Sequence, residues 1–158
     1  MFVKRFYLIK HNHFLLMSVK IESGKWKTVW KPKKASTTFV KDSLLVLDAG
    51  FATPAGTDAG AADKPVLGVY QGPAYASSDV TTSLIAVQTP ADPYCVVRAT
   101  VSAGTPSATA DLGKSFDMAD DVSVTFSVTT NEPVAFEKYI SATEGLFVLG
   151  HTMSGPSA

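Results

Sequence analysis

The nine residues 121–129, Asp-Val-Ser-Val-Thr-Phe-Ser-Val-Thr, leave little freedom in how a chain can fold around them. Val122, Val124, Phe126 and Val128 fall at every second position, with Ser123, Thr125, Ser127 and Thr129 between them. A period of two fits a pleated strand and no helix. One side is apolar and the other carries hydroxyls, so the pattern predicts a strand with one face in a core and one in water. Residues 94–102 repeat the design, with Cys95, Val97, Ala99 and Val101 alternating against Tyr94, Val96, Arg98, Thr100 and Ser102. Two such strands predict the centre of an all-β core, with Val97, Val101, Val122, Val124, Phe126 and Val128 pointing inward. Neither is interrupted by a catalytic constellation, which points away from an enzyme.

The rest of the chain supplies companions. Residues 37–47 read as a first body strand whose buried end is Leu44, Leu45, Val46 and Leu47. Residues 66–70, 81–88, 134–140 and 145–149 read as further short strands separated by Gly-, Pro- and Asp-bearing turns. Seven or eight short strands at this spacing predict a sandwich or a small barrel. Between them, residues 48–65 are rich in Ala, Gly, Thr and Asp. This reads as a long loop, and loops of this length are functional or mobile. Residues 49–64 are therefore expected to make intermolecular contacts, with Phe51 as the large side chain among them. A chain of 158 residues is long enough for one domain with its own core plus extensions. The single cysteine, Cys95, excludes an intrachain disulfide and reads as a small buried hydrophobe.

The net charge of zero conceals a division. Residues 1–41 hold ten Lys and Arg against one acid, Glu22, while residues 42–158 hold four against thirteen acids. That asymmetry predicts a basic arm on an acidic body. The arm is expected over residues 1–36, the body over 37–150 and a polar tail over 151–158. Residues 1–16 are basic and aromatic, with apolar runs split by Lys-His-Asn-His. They match neither a cleavable leader nor a membrane span. Met17 is an alternative natural start. Within the arm, Lys25, Lys27, Lys31, Lys33 and Lys34 are interleaved with Trp26 and Trp30. The alternation predicts an extended or edge strand, in which lysines discourage unspecific pairing. These seven residues are the expected partner-binding set. Lysines beside tryptophans also suit single-stranded nucleic acid, but two aromatics and no RNA-binding signature make that the weaker reading.

Site chemistry is sparse. His11, His13 and His151 have no companions that complete a tetrahedral metal site. Asp117, Asp120 and Asp121 lack the spacing of a calcium loop and read as a solvated turn. Glu132, Glu137 and Glu144 read as surface charge, with no aromatic cleft to make them a glycosidase pair. No phosphate-binding glycine loop or Gly-x-Ser-x-Gly occurs. No metal or cofactor is expected.

The order of features carries a resemblance. A lysine-rich arm leads to Phe-Val-Lys-Asp-Ser-Leu-Leu at 39–45, then Gly50 with a loose loop and Val-Leu-Gly-Val at 66–69. The strand over 95–101, Asp-Leu-Gly at 111–113, the strand starting at Val122 and Ile-Ser-Ala-Thr-Glu-Gly-Leu at 140–146 follow. Over roughly residues 20–150 this order resembles the head decoration, or capsid cement, proteins of tailed bacteriophages. The resemblance implies a small β-barrel or β-tulip body with an extended amino-terminal arm. It further implies copies seated on the outer face of an icosahedral shell, usually as homotrimers, with the major capsid protein as partner. No catalysis, cofactor or membrane is implied, and the work is mechanical: clamping neighbouring capsid subunits. The chain departs from that pattern in its first 16 residues. Two rival expectations are a β-sandwich adhesin or receptor-binding module, and a nucleic-acid-binding barrel with a basic arm.

Overall fold

The computed structural model describes residues 18–56, 64, 66–127 and 134–149. Eleven strands, and no helix among the described residues, make up an all-β fold. In chain order these are β1 (Lys20–Ser23), β2 (Trp26–Pro32), β3 (Ser43–Asp48), β4 (Phe51–Pro54), β5 (Val66–Tyr70) and β6 (Leu84–Pro90). They continue with β7 (Cys95–Ala103), β8 (Ser115–Met118), β9 (Ser123–Thr125), β10 (Val134–Ser141) and β11 (Glu144–Leu149).

Five of them close a barrel: β7 pairs β11, β11 pairs β10, β10 pairs β8, β8 pairs β9, and β9 returns to β7. An odd number of strands cannot alternate in direction all the way round, so one neighbouring pair must be parallel. That pair is β7–β9, joined through Thr100–Ser123, Val101–Val124 and Ala103–Thr125. A parallel pairing needs a long crossover, and residues 104–122, which carry β8, supply it. Strand β1 adds to the same edge of β7, over Val96 to Arg98, just before β9 takes that edge over.

The second sheet is antiparallel throughout, in the order β2-β6-β5-β3-β4. Its β3–β4 hairpin turns through Ala49 and Gly50, both at positive φ (47° and 90°). That is the mirror-image turn which matches strand twist. The sheet curls until its ends meet, where Lys33 bridges Ala52 and the Lys34 N–H donates to the Ala52 carbonyl at 2.9 Å. A bulge between Leu45 and Val46 opposes Gly68, whose φ is +156°. A Cβ there would lie 2.1 Å from the Gln88 carbonyl oxygen, so only glycine lets β5 approach β6 so closely.

Alternation along β3, and the bulge that resets it along β5, divide the interior in two. Leu44, Val46, Val66 and Val69 face the barrel, joining Val97, Ala99, Val101, Phe116, Val124, Phe136, Phe147 and Leu149 in the larger core. Leu45 and Tyr70 face the other way, into a smaller core with Phe39, Ala52, Ile85 and Val87 inside the curled sheet. Phe136 is fully buried at the centre of the larger core. Its ring lies 5.2 Å from Phe126, 5.6 Å from Phe147 and 6.3 Å from Phe116. Gly145 makes room for it, because a Cβ there would stand 2.7 Å from the Phe136 Cε2.

Against the sequence-based expectations, the all-β fold stands, and it combines a barrel with a second sheet. Val97, Val101 and Val124 point inward and Cys95 is buried. Strand β9, however, is only three residues long. The chain folds back tightly there, with the Ala119 N–H donating to the Ser123 carbonyl at 2.9 Å. Ser123, expected in water, is fully buried, while Val122 and Phe126 are half-buried. Val128 lies outside the described residues.

Strand β8 was expected as turn, yet Asp117 is buried within it. Asp120 caps the following turn, its carboxylate accepting the Val122 N–H at 2.9 Å. Burial pushes the Asp121 carboxyl above its ordinary range. The presumed loop 49–64 also needs correction. Its first part is β4, with Ala52 and Thr53 in the strand and Ala55 just after it fully buried, because small side chains fit where the sheet curls tightly. Residues 57–63 lie outside the described residues.

Candidate functional site

The expected arm is the place where the structure departs furthest from a loose appendage. Residues 1–17 lie outside the described residues, but from Lys20 onward the chain is woven into both sheets as β1 and β2. Lys25 begins the step between sheets: its main-chain N–H donates to the Asp92 carboxylate at 3.0 Å and its carbonyl accepts from Ala91 at 2.8 Å. The carbonyl also accepts from the Cys95 thiol at 2.9 Å.

Strand β2 then runs antiparallel to β6 through seven consecutive pairs, from Trp26–Pro90 to Pro32–Leu84. Just outside the two ends, Ala91 donates to Lys25 and Lys33 donates to Ser83 at 3.0 Å. In an antiparallel ladder hydrogen-bonded positions alternate. The odd-numbered residues Lys27, Val29 and Lys31 therefore bond to β6. The N–H and C=O groups of Thr28 and Trp30 point the other way. Among the described residues no strand pairs with β2 along that second edge over Thr28 and Trp30, and past Pro32 the edge closes onto β4 through the Lys33–Ala52 bridge. The protein thus presents a strand edge with main-chain donors and acceptors in a row.

The two faces beside this edge differ. Even-numbered side chains share the face of Leu84, Ala86 and Gln88. Trp30 is 64% exposed and Leu84, beside Pro32, is 63% exposed. The Gln88 amide donates to the Thr28 hydroxyl at 3.0 Å, tying the two strands on the same face. Further along, Trp26 is half-buried against the barrel core, its indole N–H donating to the Ser23 carbonyl at 3.0 Å. On the opposite face, Val29 packs into the smaller core, flanked by exposed Lys27 and half-buried Lys31. Neither lysine has an ion-pair partner among the described residues.

The structure separates the expected partner-binding residues. Trp30, Lys27 and Lys31 gather at the edge, and Lys25 is exposed at its start. Trp26 is committed to the body. Lys33 is fully buried: its Nζ donates to the Thr81 carbonyl at 2.6 Å, pairs with the Asp79 carboxylate at 3.4 Å and lies 5.0 Å from the Tyr75 ring centroid. It is a core residue, because the closing bridge to Ala52 carries it inward. Lys34 and Lys64 both hold Asp48, Lys34 at 2.8 Å. Phe51 is half-buried in β4, opposite Asp48. Leu84 was missed. The alternation of residues 84–90 places it on a face, but not on the face left uncovered.

Comparison with known protein families, curated proteins and solved structures found no match. Among the described residues no group of three or more His, Cys, Asp or Glu side chains is placed to hold a metal ion. His11, His13, His151 and Glu132 lie outside them. Glu137 is exposed, and Glu144 forms an ion pair with Arg98. What the edge can do chemically is add a strand.

The Lys34–Asp48–Lys64 cluster fixes the other end of the curled sheet, and it gives a pH test. Hydrogen bonds from the Lys34 and then the Lys64 ammonium group hold the Asp48 carboxyl at about 2, below its ordinary 3.8. Its contribution to stability is therefore complete above about pH 4 and is lost as pH falls through 2. Asp48→Asn should remove this part of the acid limb. Thermal melts from pH 5 to pH 2 should show the variant closing on the wild type as pH falls.

Proposed function

We propose that this protein is a non-enzymatic virion structural protein that decorates the outer surface of an icosahedral phage capsid and clamps neighbouring capsid subunits. The observation that carries this reading is the free edge of β2 beside exposed Trp30. An edge of this kind binds another protein by main-chain hydrogen bonds, without a pocket or a catalytic group. The resemblance over residues 20–150 supplies the kind of partner, the major capsid protein, and the trimeric arrangement of copies. Many such weak contacts on one shell add through multivalency.

The same geometry weighs against a nucleic-acid reading. Trp30 would stack bases on one face of β2, while Lys27 and Lys31 would meet phosphates on the other. A single strand of nucleic acid cannot follow both.

Trp30 is the anchor to test, since tryptophans dominate interface energetics when buried by a partner. In a particle-binding assay, Trp30→Ala is expected to weaken binding by about 2 kcal/mol or more, at both low and moderate salt. Lys27→Ala should bind within a few-fold of wild type once salt screens its charge. Wild-type binding by Trp30→Ala, together with loss in Lys27→Ala, would shift the reading to one based on charge alone.

A further inference from the structure

We infer that the β2 edge takes one particular kind of strand: an extended segment of another protein with acidic residues four apart around an apolar one. This rests on the proposed function in assuming that the edge is the binding surface, and it adds the chemistry of what binds.

The argument follows from pairing geometry. A strand laid antiparallel along β2 has side chains directly opposite those of β2, on the same faces. On the face of the smaller core it meets Lys31, Val29 and Lys27 in turn. Two lysines with no ion-pair partner among the described residues flank a valine that already packs inward. The complementary residues are a carboxylate, a β-branched apolar side chain and a second carboxylate. On the other face the incoming strand meets Trp30 and Thr28, which suit a large apolar side chain and then a small polar one. The recognised segment therefore reads acid, apolar, β-branched, small polar, acid. It is the charge complement of β2 and has the same period of two.

A second copy of β2 does not satisfy this pattern. Two-fold pairing about Val29 sets Lys27 of each copy against Lys31 of the other, and every register crowds both sets of lysines onto one face. Like charges directly opposite are destabilising, and lysines along an edge discourage self-pairing. The occupant is a different chain with acidic strand chemistry.

Thr28 offers a test that spares the main-chain ladder between β2 and β6. Its N–H faces the free edge, so proline at that position removes a donor for the added strand and none for β6. The probes are two blocked heptapeptides, one with glutamates four apart around a valine and one with lysines in their place. Binding would be followed by tryptophan emission in a Trp26→Phe background, where Trp30 alone reports. The acidic peptide should bind, shift Trp30 emission to the blue and displace no structure elsewhere by circular dichroism. Thr28→Pro should weaken it at least about tenfold relative to Thr28→Val, equivalent to about 1.4 kcal/mol, the two variants losing the same Gln88 hydrogen bond and melting alike. Lys27→Glu combined with Lys31→Glu should exchange the preference of the two peptides.

Equal binding of both peptides to the wild type would overturn the charge pattern. Undiminished binding to a folded Thr28→Pro variant would overturn strand addition. Concentration-dependent dimers in sedimentation, abolished by Thr28→Pro, would make the occupant a second copy and overturn the inference. Particles that bind wild type and Thr28→Pro alike would sink the inference and leave the capsid reading standing. Acidic-peptide binding without particle binding would do the reverse.

Discussion

Phe136→Ala is expected to destabilise the protein by about 3–5 kcal/mol, enough to unfold a large fraction of a marginally stable domain. Phe136 is fully buried and is ringed by Phe116, Phe126 and Phe147, with edge-on or tilted contacts to all three. Gly145 leaves space for that ring, so truncating it opens a cavity in the larger core. Phe126→Ala should cost less, although Phe126 stacks on Phe116 with centroids 3.9 Å apart, because its own side chain is already half-open to solvent. Denaturant melts of the two variants should therefore differ in midpoint, with Phe136→Ala lower. The reverse order would show that the barrel is centred on β9 instead of β10.

Lys33→Ala is expected to lose about 2–5 kcal/mol, an unusual penalty for removing a lysine. Its four-carbon stem is buried as deeply as any core side chain, and its ammonium group is satisfied inside the protein by Thr81, Asp79 and the face of Tyr75. Lys33→Met keeps the stem and removes the charge. It leaves the Thr81 carbonyl without its donor, which costs about 1–3 kcal/mol. Asp79 is better placed to tolerate that change, because the Thr81 N–H and hydroxyl still reach its carboxylate at 2.9 and 2.7 Å. Denaturant unfolding should rank the three proteins wild type, Lys33→Met, Lys33→Ala. If Lys33→Ala unfolds like wild type, Lys33 lies on the surface and belongs with Lys27 and Lys31.

The contrast between Lys33 and its neighbours shows what was legible in the sequence. Alternation gave the strand class and the inward face of β7, because period two is a local property that burial on one side enforces, whereas the continuous run at 44–47, expected to be buried throughout, leaves Leu47 exposed. Cys95, Val97 and Val101 followed from it. The end of β9 did not, since its alternation continues in sequence beyond Thr125, where the strand ends. Nor did β4, because Phe-Ala-Thr-Pro carries little β-propensity and becomes a strand only by pairing with β3.

The edge was partly legible. Lysine and tryptophan in alternation did predict a guarded strand, and Trp30, Lys27 and Lys31 form one. Composition alone could not separate Lys33 from Lys31. The difference between them is made by the bridge to Ala52 across the curled sheet, a contact nineteen residues distant. Charge counting treats every lysine as solvated, and here one is core.

The joining of β1 to β2 across Gly24 and Lys25 has a mechanical consequence. β1 is paired to β7 of the barrel and β2 lies in the second sheet, so one continuous piece of chain is stitched into both bodies. A pull directed along β2 is resisted first by its seven-pair ladder with β6, loaded lengthwise so that the bonds share the strain. The same pull passes through two residues to β1 and so to β7, the strand at the barrel's seam. Tension on the edge is thus delivered to both sheets together instead of peeling one from the other, and the molecule meets a sideways load as a single piece.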